Sequence, residues 1–132
     1  MIVLDAGVLI GLLDAGDAHH DAAVAILERE KPPYLVHPLT LAEVLVGPAK
    51  RGREDRVWRD LRAIGVEVAD LGPEEALALA RLRAERGLKM PDACVLATAE
   101  RYDGRLATFD RRLAGVAERT GLLLPEGGDA AG

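Results

Sequence analysis

Four acids, Asp5, Glu43, Asp92 and Asp110, each lie against an apolar stretch of the chain. Asp5 ends Met1-Ile2-Val3-Leu4, and Glu43 lies inside Leu39-Thr40-Leu41-Ala42-Glu43-Val44-Leu45-Val46. Asp92 precedes Ala93-Cys94-Val95-Leu96-Ala97, and Asp110 closes Arg105-Leu106-Ala107-Thr108-Phe109. A buried charge is costly unless it is paired or bound to a metal. Two carboxylates ~5 Å apart repel by about 3 kcal/mol at an effective dielectric near 20. Acids gathered in one place therefore either take up protons or share a cation. Carboxylate and water ligands suit Mg²⁺ and Mn²⁺, and an acid-held divalent ion points to phosphodiester hydrolysis. Zinc fits poorly, because Cys94, His19, His20 and His37 show no zinc-site spacing.

Large separations along the chain mean that only the fold can assemble such a site. Ile2–Leu4, a short continuous apolar run, reads as a strand buried on both faces. Further strands are expected at Tyr34–Val36, Val66–Val68, Arg105–Thr108 and Leu122–Leu124. Helices are expected from Val8 to Ala15, after a cap at Asp17, and from Leu39 to Val46 with a stop at Gly47-Pro48. Val57, Leu61 and Ile64 mark a further helical face, and Gly72-Pro73 opens a helix that Gly87 ends. Pro91 begins another reaching Arg101, and Arg111–Glu118 forms the last. Strands alternating with helices imply an α/β fold, a central mostly parallel sheet covered on both faces. Ligands of such sheets bind beyond the carboxyl ends of the strands, where Asp5 and Asp110 fall. Glu43 and Asp92 lie near helix starts, which gather at the same edge.

Each acid also has a plainer reading. Thr40-x-x-Glu43 has the form of a capping box. Asp92 complements a helix dipole, and Asp110 can cap the helix that follows it. Asp5, followed by Ala6-Gly7, has no obvious partner.

A length of 132 residues suits one domain, placed at residues 1–125, with the small, polar segment 126–132 as a disordered tail. Aromatics make up 3% of the chain, so Leu, Val and Ala must fill the core. The single cysteine, Cys94, excludes an intrachain disulfide and fits a reducing, cytoplasmic setting. No apolar run is long enough to cross a membrane, and the N-terminus has no secretory signal pattern. The net charge of −5 argues against coating nucleic acid through a broad basic surface. Phosphate contacts would be few and local.

In order and context, the four acidic segments resemble the PIN-domain family, specifically the toxin ribonucleases of VapBC toxin–antitoxin modules. Met1–Ile10 resembles the family's opening strand and first acid, and Leu41-Ala42-Glu43-Val44 its helix-borne glutamate. Pro91–Ala99 resembles its third-acid segment, and Leu106-Ala107-Thr108-Phe109-Asp110 its fourth. The resemblance covers about residues 1–125. It implies a three-layer α/β/α sandwich and Mg²⁺- or Mn²⁺-dependent endoribonuclease activity on structured RNA such as transfer or ribosomal RNA. It also implies homodimerisation and inhibition by a cognate VapB-type antitoxin, whose basic segment would enter the acidic pocket. The family often has Ser, Thr or Asn where this chain has Gly7.

On this reading Asp5, Asp92, Asp110 and Glu43 are catalytic and hold the metal directly or through water. Thr108 can supply a hydroxyl near the site. Arg51, Arg53, Arg111 and Arg112 are candidate contacts to the RNA backbone. His19-His20 is expected at an exposed helix start, Trp58 in the core or a dimer interface, and Cys94 inert in a buried helix. A haloacid dehalogenase-like phosphatase is disfavoured because Gly7 stands where its second acid is needed. A dinucleotide-binding domain lacks its G-x-G-x-x-G. A non-catalytic interaction module on the same scaffold is the alternative from another class.

Overall fold

The computed structural model describes residues 1–125; the segment expected to be a tail, 126–132, lies outside the described residues. Among the described residues four short strands form one sheet: β1 (Ile2–Leu4), β2 (Tyr34–Val36), β3 (Val66–Val68) and β4 (Arg105–Ala107). Their order is β3-β2-β1-β4, and every pairing is parallel. Within the same described residues seven helices connect and follow them: α1 (Ala6–Leu13), α2 (His20–Arg29), α3 (Pro38–Lys50), α4 (Glu54–Ala63), α5 (Glu75–Arg86), α6 (Met90–Arg101) and α7 (Arg111–Arg119).

Alternation along the strands sorts the core into two clusters. Val3, Leu35 and Leu106 face α5–α7, packing with Leu82, Leu96 and Leu113. Ile2, Leu4, Val36 and Ala107 face α1–α4, packing with Val8, Leu9, Val44 and Leu61. The result is the three-layer sandwich anticipated from the sequence. Trp58 packs against the second cluster, and Cys94 is buried in the first, its thiol pushed up to about 11 by burial. A thiol that titrates there is unreactive at neutral pH.

β1 lies between β2, which follows it through α1 and α2, and β4, reached by a crossover past β1. That reversal of direction makes the carboxyl end of β1 the topological switch point, where a crevice opens between neighbouring loops. Gly104 makes the β4 side possible: a Cβ there would meet the Met1 carbonyl oxygen at 2.8 Å.

Four local expectations differ from the structure. The helix expected to stop at Gly47-Pro48 continues to Lys50. Pro48 forfeits only its own N–H bond, and its carbonyl accepts from Arg51 N at 3.0 Å, closing the last turn. Asp17 does not cap α2; its Oδ1 accepts from His19 N at 2.8 Å in a tight turn, and the helix begins at His20. Ile64 lies just past α4 and is 44% exposed, so it adds little to the buried face. The fifth strand is reduced to a bridge between Leu106 and Leu123. Beyond these, Gly87 ends α5 in the left-handed conformation with φ of 64°, as its expected stop requires.

Candidate active site

Asp5 follows β1 directly and is the N-cap of α1. Its Oδ1 accepts from Val8 N at 2.9 Å, and its Oδ2 accepts from the Thr108 hydroxyl. The expectation that Asp5 lacked a partner is therefore corrected: the helix begins at Ala6, which places the orphan N–H of Val8 above the carboxylate. Asp5 is only 8% exposed. Burial raises its pKa above the ordinary value, its two hydrogen bonds oppose that, and the charges of Asp110 and Asp92 add to it.

Asp110 caps α7, with Oδ1 accepting from Leu113 N at 2.9 Å. Its backbone N–H donates to Thr108 Oγ1 at 3.0 Å. Thr108 thus ties the loop after β4 to the loop after β1. The hydroxyl expected from Thr108 is present, but it is engaged with Asp5, so Thr108 acts as a positioning residue. A Cβ at Gly7 would stand 3.6 Å from Asp5 Oδ1, an ordinary contact, so Thr108 supplies this carboxylate with a hydroxyl in a chain that has none at Gly7.

Asp92 occupies the first turn of α6. Its pKa is raised by burial and then by Asp110; Arg112 and Lys89 oppose that, and Glu43 adds to it. Glu43 projects from α3 and is exposed. Thr40-x-x-Glu43 is no capping box: α3 starts at Pro38, and its N-cap is His37, whose Nδ1 accepts from Leu39 N at 3.0 Å. Nε2 of the same ring meets Glu75 Oε2 at 2.8 Å and pins the start of α3 to α5. Glu43 is thereby free of any capping duty.

All four acids line one cavity of about 350 Å³ at the switch point. Among the described residues none of them forms an ion pair with Lys, Arg or His. Nor do any three His, Cys, Asp or Glu side chains converge closely enough to grip an ion directly. Four unpaired carboxylates around a cavity of this size fit a hard cation that keeps part of its water shell, as Mg²⁺ does.

The arginines divide. Arg112 lies close enough to Asp92 to oppose its pKa rise, and its Nη2 donates to the Gly87 carbonyl at 3.4 Å. Arg111 is exposed directly beside Asp110. Arg51 ends α3 and lines a separate cleft with Ile10, Val44 and Asp60, while Arg53 caps α4 without a side-chain bond. Neither borders the acid cavity. Three residues that the sequence did not mark as site residues do border it: Thr40, His19 and Phe109. His19 is exposed at the start of α2, as expected, and stacks on Phe109 with ring centroids 4.5 Å apart and planes at 10°. The available signal was the chain's one phenylalanine standing next to a site acid.

A parallel sheet with a carboxylate-lined crevice at its switch point defines an α/β/α domain with an acidic candidate site. Residues 2–119 match the PIN domain family, and the chain belongs to it. It is 28% identical to Ribonuclease VapC29 of Mycobacterium tuberculosis over 128 residues, 94% of this chain and 96% of that protein. A chain of a toxin–antitoxin complex from Klebsiella pneumoniae is 30% identical, covering 88% of this chain and 92% of its own, with a TM-score of 0.74. Mycobacterium tuberculosis VapC20, a Sarcin-Ricin loop cleaving toxin, superposes with a TM-score of 0.74 over 96% of this chain and 100% of its own. At 18% identity that last likeness speaks for the fold alone.

Proposed function

We propose that this chain is a divalent-metal-dependent endoribonuclease, the toxin of a VapBC-type toxin–antitoxin module. The observation that carries the reading is the set of four unpaired carboxylates around one cavity, in a member of the PIN domain family. Similarity to Ribonuclease VapC29 across nearly the whole chain supports RNA as the substrate. Similarity to a toxin–antitoxin complex supports an antitoxin partner.

Asp5 and Asp110, oriented by their caps, and Asp92 and Glu43, on helices, would hold Mg²⁺ or Mn²⁺ directly or through water. Bound there, the ion supplies Lewis acidity, acidifying water and offsetting charge on the phosphoryl oxygens. The protein's own share is geometric and electrostatic. Thr108 keeps the Asp5 carboxylate in place. Arg111 and Arg112, beside Asp110 and Asp92, would draw the substrate's phosphate towards an otherwise negative rim. Water attacks phosphorus in line, the bond to the 3′ oxygen breaks, and the products carry a 5′-phosphate and a 3′-hydroxyl. The antitoxin would inhibit by sending a basic segment into the cavity, where charge complementarity favours it. Homodimerisation and a cytoplasmic location belong to the same reading; among the described residues no helix is long and apolar enough to cross a membrane.

The test is RNA cleavage with added Mg²⁺ or Mn²⁺ by the wild type and by Asp92→Asn, whose side chain makes no hydrogen bond that the fold needs. Cleavage should fall by about 100-fold or more, the scale of losing one preorganised electrostatic group. Undiminished metal-dependent cleavage would contradict the assignment and favour a non-catalytic interaction module.

A further inference from the structure

Resting on the ribonuclease reading, we propose that His19, backed by Phe109, is a stacking platform that takes an unpaired nucleobase of the RNA beside the acid cavity. The chain has one Phe, one Trp and two Tyr, and most of them are committed elsewhere. Tyr34 is buried, with its hydroxyl donating to the carbonyls of Leu27 and Glu30. Tyr102 donates its hydroxyl to Asp70 O and accepts from Asp70 N. Trp58 packs on the core with Arg62 over its ring at 5.8 Å. Phe109 alone borders the cavity, and it lies between Thr108 and Asp110, both fixed by hydrogen bonds. Its ring packs against the core cluster that contains Val8 and Leu9, which gives it a defined position.

His19 lies nearly parallel to that ring. Its backbone is held by the Asp17 turn at 2.8 Å, and its Nδ1 stands 3.8 Å from the same carboxylate oxygen. With one ring face against Phe109, the His19 side chain remains 56% exposed, and it lines the cavity with the four acids. Among the described residues no site carboxylate hydrogen-bonds the ring. A fixed, flat, solvent-facing aromatic surface next to the reacting centre is what a splayed base stacks on. Stacking also answers a need of this chain in particular. With a net charge of −5 its phosphate contacts are expected to be few and local, whereas stacking does not depend on the protein's charge.

The test combines kinetics with a direct report of stacking. For cleavage of a short single-stranded RNA with Mg²⁺, His19→Ala should raise KM about 5- to 100-fold, the range set by base–aromatic stacking, with little change in kcat. His19→Tyr should restore KM. Phe109→Leu, which keeps bulk but removes the backing ring, should behave like His19→Ala. In an Asp92→Asn background, which leaves the strand intact, 2-aminopurine in the same RNA should be quenched with His19 or Tyr at this position and not with Ala. Unchanged KM and quenching in His19→Ala would overturn the inference. So would loss of kcat that His19→Tyr fails to rescue, which would mark proton transfer, or weakened antitoxin binding with RNA binding intact. A wild type that does not cleave RNA defeats the ribonuclease reading itself; a wild type that cleaves but shows no stacking signal defeats this inference alone.

Discussion

Asp5 and Asp110 sit at the start of helices, each carboxylate closing a helix N-terminus, and Thr108 couples the two. Glu43 and Asp92 hang from α3 and α6 with no side-chain hydrogen bond to the rest of the described protein. The strand-end half of the cavity is thus rigid because the fold uses it twice, for capping and for the site. The helix-borne half has no structural duty beyond its charge. Preorganisation of one half means less side-chain freedom to lose on binding, while the freedom of the other would let it adapt to the proposed ion. Changes in the rigid half should therefore disturb stability and function together, and changes in the free half function alone.

Thr108→Val should break that contrast most visibly. It keeps the branched shape but removes the hydroxyl shared by Asp5 and Asp110, and metal-supporting contacts of this kind are worth about 10–100-fold in activity or metal affinity. Cleavage rates with Mg²⁺ titrated at each step would read the loss. Next comes a matched pair. Asp110→Ala removes a cap and should cost about 1 kcal/mol of stability, whereas Glu43→Ala, on an exposed helical surface, should cost within about 0.5 kcal/mol. Urea denaturation of both variants separates them; equal losses would erase the distinction between the halves.

The pH response sharpens it further. Asp5 has a pKa raised above 3.8, chiefly by burial. A raised carboxylate pKa means that the folded state binds the proton more tightly than the unfolded state, so this contribution is full below the unfolded value. It is lost as pH rises through the folded value. Without metal, Asp5→Asn keeps a capping side chain but not the buried charge. Its stability relative to wild type should therefore increase as pH rises from about 4 to about 7. Denaturant curves across that range test it, and a gap independent of pH would contradict the burial argument. The smallest effect is expected at Gly7, exposed in the first turn of α1. Gly7→Ser should stabilise by about 0.5 kcal/mol through helix propensity alone, measurable as a modest rise in Tm.

Much of this arrangement was legible in the sequence because the strands are short apolar runs with an acid or a helix start immediately beyond them. Asp5 and Asp110 could be placed at one sheet edge from that pattern. Their hydrogen bonds could not: Asp5 and Thr108 are 103 residues apart in sequence, and their contact depends on β1 pairing with β4. Thr40-x-x-Glu43 has the pattern of a cap but not the role, because Pro38 starts α3 earlier and His37 does the capping. Leu122–Leu124 has a strand's composition but pairs only at one bridge. His19 and Phe109 meet across a similar gap in sequence, so nothing local marked them as a pair. Arg51 and Arg53 were placed by charge alone, and α3 carries them away from the cavity's acid end.

Calorimetric titration of Mg²⁺ into the purified protein tests the central claim most directly, with Asp5→Asn/Asp92→Asn as the comparison. Saturable binding by the wild type is expected, with about one or two ions per chain, and the double variant should lose it while keeping its fold. Identical heats from the two proteins would contradict it, since the carboxylates would then have no shared ion to hold.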